Sequence, residues 1–301
     1  MTRSYAFLIG LLAAIWGASY LFIKVAVRDF SPTAMMEIRL AVAALVLAAV
    51  LVARTGVRPS IDDLRGAGWH ALGIGVVNGA IPFTLIAWGE KYIDSGVAAI
   101  ANATMPIFIA MLAPLLLPTE SVTGIRLVGF MLGLVGVAVL AGGQPGSDWW
   151  FVAGTLAVVG SSISYAISSF WAQRRLGTAS NHALATASMT GGALVLLPLA
   201  VVSAPEEVPS LKSVASLAAL TLLGTALAQL ILYRAIRHHG AARTSLVTYL
   251  MPPTALFYGW LLLDERITGA TAAGLALILG GVALGSGAAR FPRRTQAVTE
   301  P

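Results

Sequence analysis

The chain contains an internal duplication. Five apolar segments between residue 5 and about residue 142 recur about 145 residues later, between residues 150 and about 289. A short motif returns at the same offset, since Glu120-Ser-Val-Thr-Gly reappears as Glu265-Arg-Ile-Thr-Gly. Self-similarity at a fixed offset indicates a duplicated structural unit. If each unit crosses a membrane five times, the second enters from the opposite side, which is the inverted-repeat plan of secondary transporters.

The composition places these segments in a lipid bilayer. Hydrophobic residues make up 57% of the 301 positions, charged residues only 11%, and the mean hydropathy is +0.84. Because a helix needs about 20 apolar residues to cross the bilayer, the predicted fold class is an all-α membrane protein. We predict ten transmembrane helices arranged as two inverted five-helix repeats. The predicted spans are residues 5–27, 32–53, 68–89, 94–117, 123–142, 150–172, 181–203, 212–233, 240–263 and 268–289.

Basic residues predict the orientation. Thirteen of the 19 Lys and Arg residues fall on the side that holds both termini, which is therefore expected to be cytoplasmic. The net charge of +6 thus has a topological explanation and does not indicate nucleic acid. The predicted organisation is a first repeat (1–143), an external linker (144–149), a second repeat (150–289) and a disordered cytoplasmic tail (290–301).

Further compositional features concern location and chemistry. The first span is too long for a signal peptide and lacks a cleavage site, so it is expected to stay in the protein. Arginine far outnumbers lysine and Ala and Gly are abundant, as in GC-rich bacterial genes, which favours a bacterial inner membrane. The absence of cysteine excludes disulfides, thiolate metal sites and a Cys nucleophile. We expect no metal and no cofactor.

Several of these features resemble a known family. The ten spans, the duplicated unit, the segment Trp16-Gly-Ala-Ser-Tyr20, Arg39, Pro106 and the Glu-x-x-Thr-Gly turns are similar to the drug/metabolite transporter superfamily, EamA type. The resemblance covers nearly the whole chain and implies a ten-helix carrier for a small molecule. Within the superfamily, exporters of amino acids and metabolites are nearest, including aromatic amino-acid exporters.

Polar residues inside the spans predict a central cavity, because such groups avoid lipid. In the first span Trp16, Ser19 and Tyr20 share one helical face, and Ser164 and Tyr165 form the equivalent stripe in the sixth. The serines are equally compatible with close helix packing. The bulky rings favour a cavity. Asn78 in the third span and Gln229 in the eighth add amides, and a buried unpaired amide would cost about 2 kcal/mol.

Two prolines mark the fourth and ninth spans. Pro106 and Pro252 each remove a backbone hydrogen bond and leave a carbonyl four residues earlier, at Asn102 and Thr248, without its donor. Their matching positions predict a hinge or a midplane site, the alternative being packing kinks. The predicted substrate-binding residues are Trp16, Ser19, Tyr20, Asn78, Asn102, Met105, Ser164, Tyr165, Gln229, Ser245, Thr248 and Tyr249.

The charged and small residues receive structural interpretations. Lys24 is expected to extend to the membrane interface, and Glu120 and Glu265 to cap the helices that follow them. Glu37 and Arg39 point to different faces and cannot pair with each other. Each is interpreted as forming a structural ion pair with a neighbour, as a residue near the interface or as part of a proton path. Glycines spaced four apart in the fifth and tenth spans predict close helix contact, with a dimer seam as the weaker alternative.

These features predict the function. We expect a secondary transporter that exports or exchanges small neutral or zwitterionic metabolites, amino acids in the first place, by alternating access. The alternatives are a passive channel and, less favoured because no deep His or Asp is present, an intramembrane enzyme. The expected partners are a small-molecule substrate and the lipid bilayer, with the chain acting as a monomer.

Overall fold

The computed structural model describes residues 3–116, 124–143, 148–175, 179–239, 244 and 247–285. Every regular element in these ranges is helical. The first half forms α1 (Arg3–Ala26), α2 (Pro32–Thr55), α3 (Val57–Gly75), a π-helical turn (Val76–Ala80), α4 (Ile81–Gly89), α5 (Ser95–Asn102), α6 (Met105–Leu116) and α7 (Ile125–Gly142). The second half forms α8 (Trp149–Arg175), α9 (Asn181–Val202), α10 (Leu211–Thr221), a second π-helical turn (Leu222–Leu227), α11 (Ala228–His239), α12 (Val247–Leu263) and α13 (Gly269–Gly285).

The helices have the length and composition of membrane spans. Seven apolar helical segments in the described ranges are long enough to cross a bilayer, and three shorter apolar helices accompany them. Large apolar side chains such as Phe7 and Val202 remain exposed, which suits contact with lipid. The chain is a multi-pass membrane protein. The count of ten spans and the repeat boundaries stay predictions, and residues 144–147 and 290–301 lie outside the described residues.

The third span is preceded by a helical segment that lies between the predicted spans 32–53 and 68–89. α3 starts at Val57, but Gly68 interrupts it with a φ of +67°. Glycine adopts this left-handed conformation at little cost, so the helix bends there. The bend falls at residue 68, where the apolar span was predicted to begin.

Glycines allow close contact between α7 and α13. A Cβ atom on Gly281 would lie 2.5 Å from the carbonyl oxygen of Gly129, and one on Gly136 would lie 3.0 Å from the amide nitrogen of Ile278. Only a residue without a side chain permits this approach. The predicted small-residue contact is confirmed, and it forms within one chain.

Several connections between helices meet at the end of the bundle opposite the N-terminus of α1, which we call the distal end. Ser31, before α2, donates a hydrogen bond to the carbonyl oxygen of Ser203, after α9, at 2.7 Å. The amide of Ser210, before α10, donates to Asp29 at 2.8 Å. These bonds tie the first half of the chain to the second.

Candidate functional site

A cavity of about 350 Å³ lies in the middle of the bundle. This volume falls within the range of small-molecule sites. Both halves of the chain contribute to its wall. The predicted site residues that line it are Trp16, Ser19, Tyr20, Asn78, Asn102, Met105, Tyr165, Gln229 and Thr248, together with Pro106.

Two predicted site residues in the described part of the chain are not on this wall. Ser164 donates a hydrogen bond to the carbonyl oxygen of Val77 at 2.6 Å, so it secures the first π-helical turn. Tyr249 packs, half-buried, against the main hydrophobic core. Ser245 lies outside the described residues. In the stripe of the sixth span, Tyr165 therefore lines the cavity while Ser164 makes a packing contact. Close packing was the alternative interpretation of the serines.

The fourth span is broken at the level of the cavity. α5 ends at Asn102 and α6 begins at Met105, so Pro106 lies in the first turn of a new helix. The carbonyl oxygen of Asn102 accepts a hydrogen bond from Ser162 Oγ at 3.1 Å. The predicted loss of an internal donor at Asn102 is thus compensated by α8. Pro252, by contrast, lies within the continuous helix α12, and the hinge role of both prolines stays a prediction.

The side chain of Asn102 joins three helices. Its Nδ2 donates to Tyr20 Oη at 2.8 Å. Its Oδ1 accepts from Ser161 Oγ at 3.2 Å and from Ser162 Oγ at 3.3 Å. The amide therefore fixes α1 and α8 against the end of α5, and it holds the Tyr20 ring in the cavity wall.

Two π-helical turns occur at corresponding places in the two halves. The first, Val76–Ala80, contributes Asn78 to the cavity, and the second, Leu222–Leu227, contributes Gly224 and Thr225. Such turns are uncommon and often lie at functional sites. Proline follows the first turn, at Pro82, but no proline accompanies the second. Neither turn was predicted from the sequence.

Arg39 is the only charged residue among the described residues that line the cavity. Its Nε donates to Thr225 Oγ1 at 2.8 Å, its Nη1 lies 3.8 Å from Met36 Sδ, and its Cζ lies 3.9 Å from the Phe83 ring centroid. The side chain is only 5% exposed. None of the described carboxylates forms an ion pair with it. An intramembrane arginine was visible in the sequence, but its place in the cavity was not predicted.

Aromatic rings form much of the remaining wall. Trp16, Tyr20, Phe83 and Tyr165 all line the cavity, and the rings of Phe83 and Tyr165 meet edge to face at 6.4 Å. Their π faces suit apolar, aromatic or cationic groups. Together with Arg39, the wall combines one fixed positive charge with amides, hydroxyls and aromatic surface.

Hydrogen bonds close the distal end above this cavity. Lys24 Nζ donates to the carbonyl oxygens of Glu90 and Ile93, both at 2.8 Å. Lys24 therefore binds the main chain of the connection between α4 and α5, and its extension to the interface stays a prediction. Asp29 accepts from Ser210, and hydrogen bonds from Ser210 lower the pKa of the Asp29 carboxyl. This contact is kept at neutral pH and weakens as the pH falls through that lowered pKa.

Glu265 also acts at the distal end, but on another helix than predicted. Its Oε1 accepts from the Ser95 amide at 2.8 Å, and its Oε2 accepts from Ser95 Oγ at 2.8 Å and from the Gly96 amide at 3.3 Å. It therefore caps α5. The next helix, α13, begins only at Gly269, so the first amides of α5 are nearer. Glu120 lies outside the described residues.

The Asn102 network yields a first prediction. Asn102→Ala removes the side-chain amide that bonds Tyr20, Ser161 and Ser162, whereas the two serines keep their bonds to main-chain oxygens, so stability should fall by about 1–3 kcal/mol. Thermal unfolding of the purified protein measures this change. Asn181→Ala, at the exposed start of α9, is the control and should unfold like the wild type. Equal melting temperatures for the two variants would contradict the structural role of Asn102.

Sequence comparisons match this chain to one family of transporters and to relatives that are named as transporters. The model of the EamA-like transporter family matches residues 3–142 and 152–286. An uncharacterized transporter of Archaeoglobus fulgidus is 27% identical over 274 residues, covering 91% of this chain and 95% of that protein. The uncharacterized inner membrane transporter YedA of Escherichia coli is 28% identical over 279 residues, covering 91% of this chain and 87% of YedA.

Two further comparisons agree with these. The uncharacterized transporter YoaV of Bacillus subtilis is 25% identical over 276 residues, covering 89% of this chain and 91% of YoaV. A solved crystal structure matches with a TM-score of 0.66 at 19% identity, covering 96% of this chain and 98% of its own. The structural match shows a shared fold. The names of the family and the relatives indicate transporters and not enzymes.

Proposed function

We propose that this protein, which belongs to the EamA-like transporter family, is a secondary transporter for small carboxylate-bearing solutes. It exports or exchanges neutral or zwitterionic metabolites, with amino acids as the first candidates. The membrane is the inner membrane of a bacterium, where YedA, a relative of 28% identity, is named as residing. The substrate occupies the central cavity.

The observation that carries this proposal is the position of Arg39. Burying a charge without a counter-ion is costly, and the described lining supplies no carboxylate to offset it. A carboxylate on the solute would provide the missing negative charge, and the planar guanidinium can bind it through two parallel hydrogen bonds. Amides and aromatic faces around it suit an ammonium group and an apolar side chain.

The arrangement of the helices supports alternating access. The cavity lies between corresponding π-helical turns of the two halves, and the distal end is closed by hydrogen bonds between those halves. Opening would need these polar contacts, those of Lys24 and Glu265, and the interface around them to separate. Pro106 and Pro252 remain the proposed hinge positions, since each lies in a helix that borders the cavity. The internal pairing of α7 with α13 favours a monomer as the transporting unit.

Transport by purified protein in liposomes tests the proposal. A panel of radiolabelled amino acids, their amides and their decarboxylated amines separates carboxylate recognition from general amine or apolar uptake. Saturable uptake with counterflow is expected for the carboxylate-bearing solutes. Uptake that never saturates would indicate a channel, and the absence of uptake for all carboxylates would contradict the proposed substrate class.

Orientation is a separate prediction. Because the chain has no cysteine, single cysteines can be placed at Val208, 96% exposed at the distal end, and at Asp62, exposed in α3. We expect an impermeant maleimide to label Val208→Cys in intact cells and to label Asp62→Cys only after permeabilisation. The reverse pattern would place the termini outside the cytoplasm.

A further inference from the structure

Glu90 is a buried carboxyl group outside the cavity lining. Its side chain is 0% exposed, and both carboxyl oxygens lack a hydrogen-bond partner among the described residues. The residue follows the end of α4, in the turn that leads to α5. Its backbone oxygen accepts from Lys24, so the lysine is engaged with the main chain. An ionised carboxylate at such a place has neither exposure to bulk solvent nor a described donor to replace its hydration, so the neutral form is favoured.

The surroundings of Glu90 support this assignment. Burial raises the pKa of the Glu90 carboxyl well above its usual value; Lys24 and Arg39 lower it and Glu265 raises it, but burial is the largest effect. α8 packs along α4 and carries charged side chains, Arg174 and Arg175, only at its C-terminal end. The titratable and charged groups around the site are Lys24 and Tyr20 from α1, Arg39 from α2, Glu265 before α13, and Asp94 before α5, which acts on Lys24 and Glu265.

We propose that Glu90 is a proton-binding site whose protonation accompanies closure of the distal end. With the distal end closed, the carboxyl holds its proton. When the contacts of Lys24 and Glu265 separate, water reaches Glu90, the O–H bond breaks, and the proton passes to water on the distal side. Closure takes the proton back from that side. The opening step rests on the proposed transport cycle, whereas protonation of the closed state does not.

The direction of the pH effect follows from the two states. The carboxyl has a higher pKa in the closed state than in the open, hydrated state, so protons favour closure. Below the open-state pKa, the stabilisation of the closed state by the bound proton has its full value. Between the two pKa values, the ratio of open to closed molecules should rise by up to tenfold per pH unit. Above the closed-state pKa it should reach a plateau.

Infrared difference spectroscopy tests protonation without any transport measurement. Reconstituted protein is titrated from about pH 4 to about pH 9, and the C=O stretching band of a protonated carboxyl is followed. We expect one band that persists at neutral pH in the wild type and is absent from Glu90→Gln and from Glu90→Met. Glu37→Gln, which removes a half-buried carboxyl of α2, is the control and should keep the band. A band that is missing from the wild type, or retained in both Glu90 variants, would overturn the proposal.

Accessibility tests the coupling to closure. A cysteine at Ala99, a buried cavity residue in α5, is exposed to impermeant maleimide from the distal side at different pH values. Because maleimide reacts with the thiolate, each rate is divided by that of the exposed Val208→Cys at the same pH. This ratio should rise by up to tenfold per pH unit in the wild-type background as the pH rises. In Glu90→Gln the ratio should stay low and independent of pH. A wild-type pH profile in Glu90→Gln, or a rate that follows Na⁺ at constant pH, would overturn the coupling. Failure of solute transport together with the expected pH effects would contradict only the proposed function.

Discussion

Replacing Arg39 with methionine is expected to abolish transport of carboxylate-bearing solutes while leaving the protein folded. Hydrogen bonds to a charged group contribute about 1.5–3 kcal/mol each. Losing a bidentate pair should therefore cost at least about 3 kcal/mol of binding, or roughly 100-fold in affinity. Binding and counterflow of a labelled amino acid, measured in liposomes, give this difference.

Stability should change in the opposite direction from function. Arg39 is buried without a described counter-ion, and replacement of a buried charge by an apolar side chain is often neutral or stabilising. We therefore expect Arg39→Met to melt at or above the wild-type temperature. A merely structural arginine would instead give a variant with lower melting temperature and proportionate loss of activity.

Two comparisons refine the test. Arg39→Lys keeps the charge but not the planar fork, so it should recover part of the binding. Arg58→Met, which removes an exposed arginine of α3, should behave like the wild type. Uptake of the matching decarboxylated amine should be almost the same in the wild type and in Arg39→Met. Equal losses for the acid and the amine would contradict a carboxylate contact.

Sequence patterns predicted the architecture because bilayers impose a strong rule on the backbone. Apolar length predicted membrane-spanning helices, and the missing amide of Pro106 predicted an unsatisfied carbonyl at Asn102. The donor that satisfies it, Ser162, could not be named. Two neighbouring serines, Ser161 and Ser162, were equivalent in sequence, and only the packing of α8 against α5 brings both to Asn102.

The position of Arg39 in the cavity wall could not be predicted from the sequence for a related reason. Glu37 and Arg39 are two residues apart and point to different faces, so the polar pattern of α2 does not reveal which face meets the cavity. The second π-helical turn decides this, because it brings Thr225 to Arg39 Nε. No proline in the sequence accompanies that turn. Likewise, Glu265 caps α5, which lies 170 positions away in the chain.

Truncation of Glu265 should open the distal end. Glu265→Ala removes the acceptors of the Ser95 amide, the Ser95 hydroxyl and the Gly96 amide, and Ser95 is completely buried when the end is closed. Each buried donor left without a partner costs about 1–3 kcal/mol. Water satisfies these donors once the end opens, so the penalty falls on the closed state.

The size of the effect follows from this difference between the states. A penalty on the order of 3 kcal/mol would shift the ratio of open to closed molecules by roughly 100-fold. A cysteine at Ile23, a buried residue in the distal part of the cavity, should then react correspondingly faster with impermeant maleimide added from outside. Asp94→Ala is the matched control, since Asp94 occupies the N-cap position of the same helix but makes no capping hydrogen bond. If the two variants label at the same rate, Glu265 does not hold the distal end closed, and the contacts of Lys24 and Asp29 must do so.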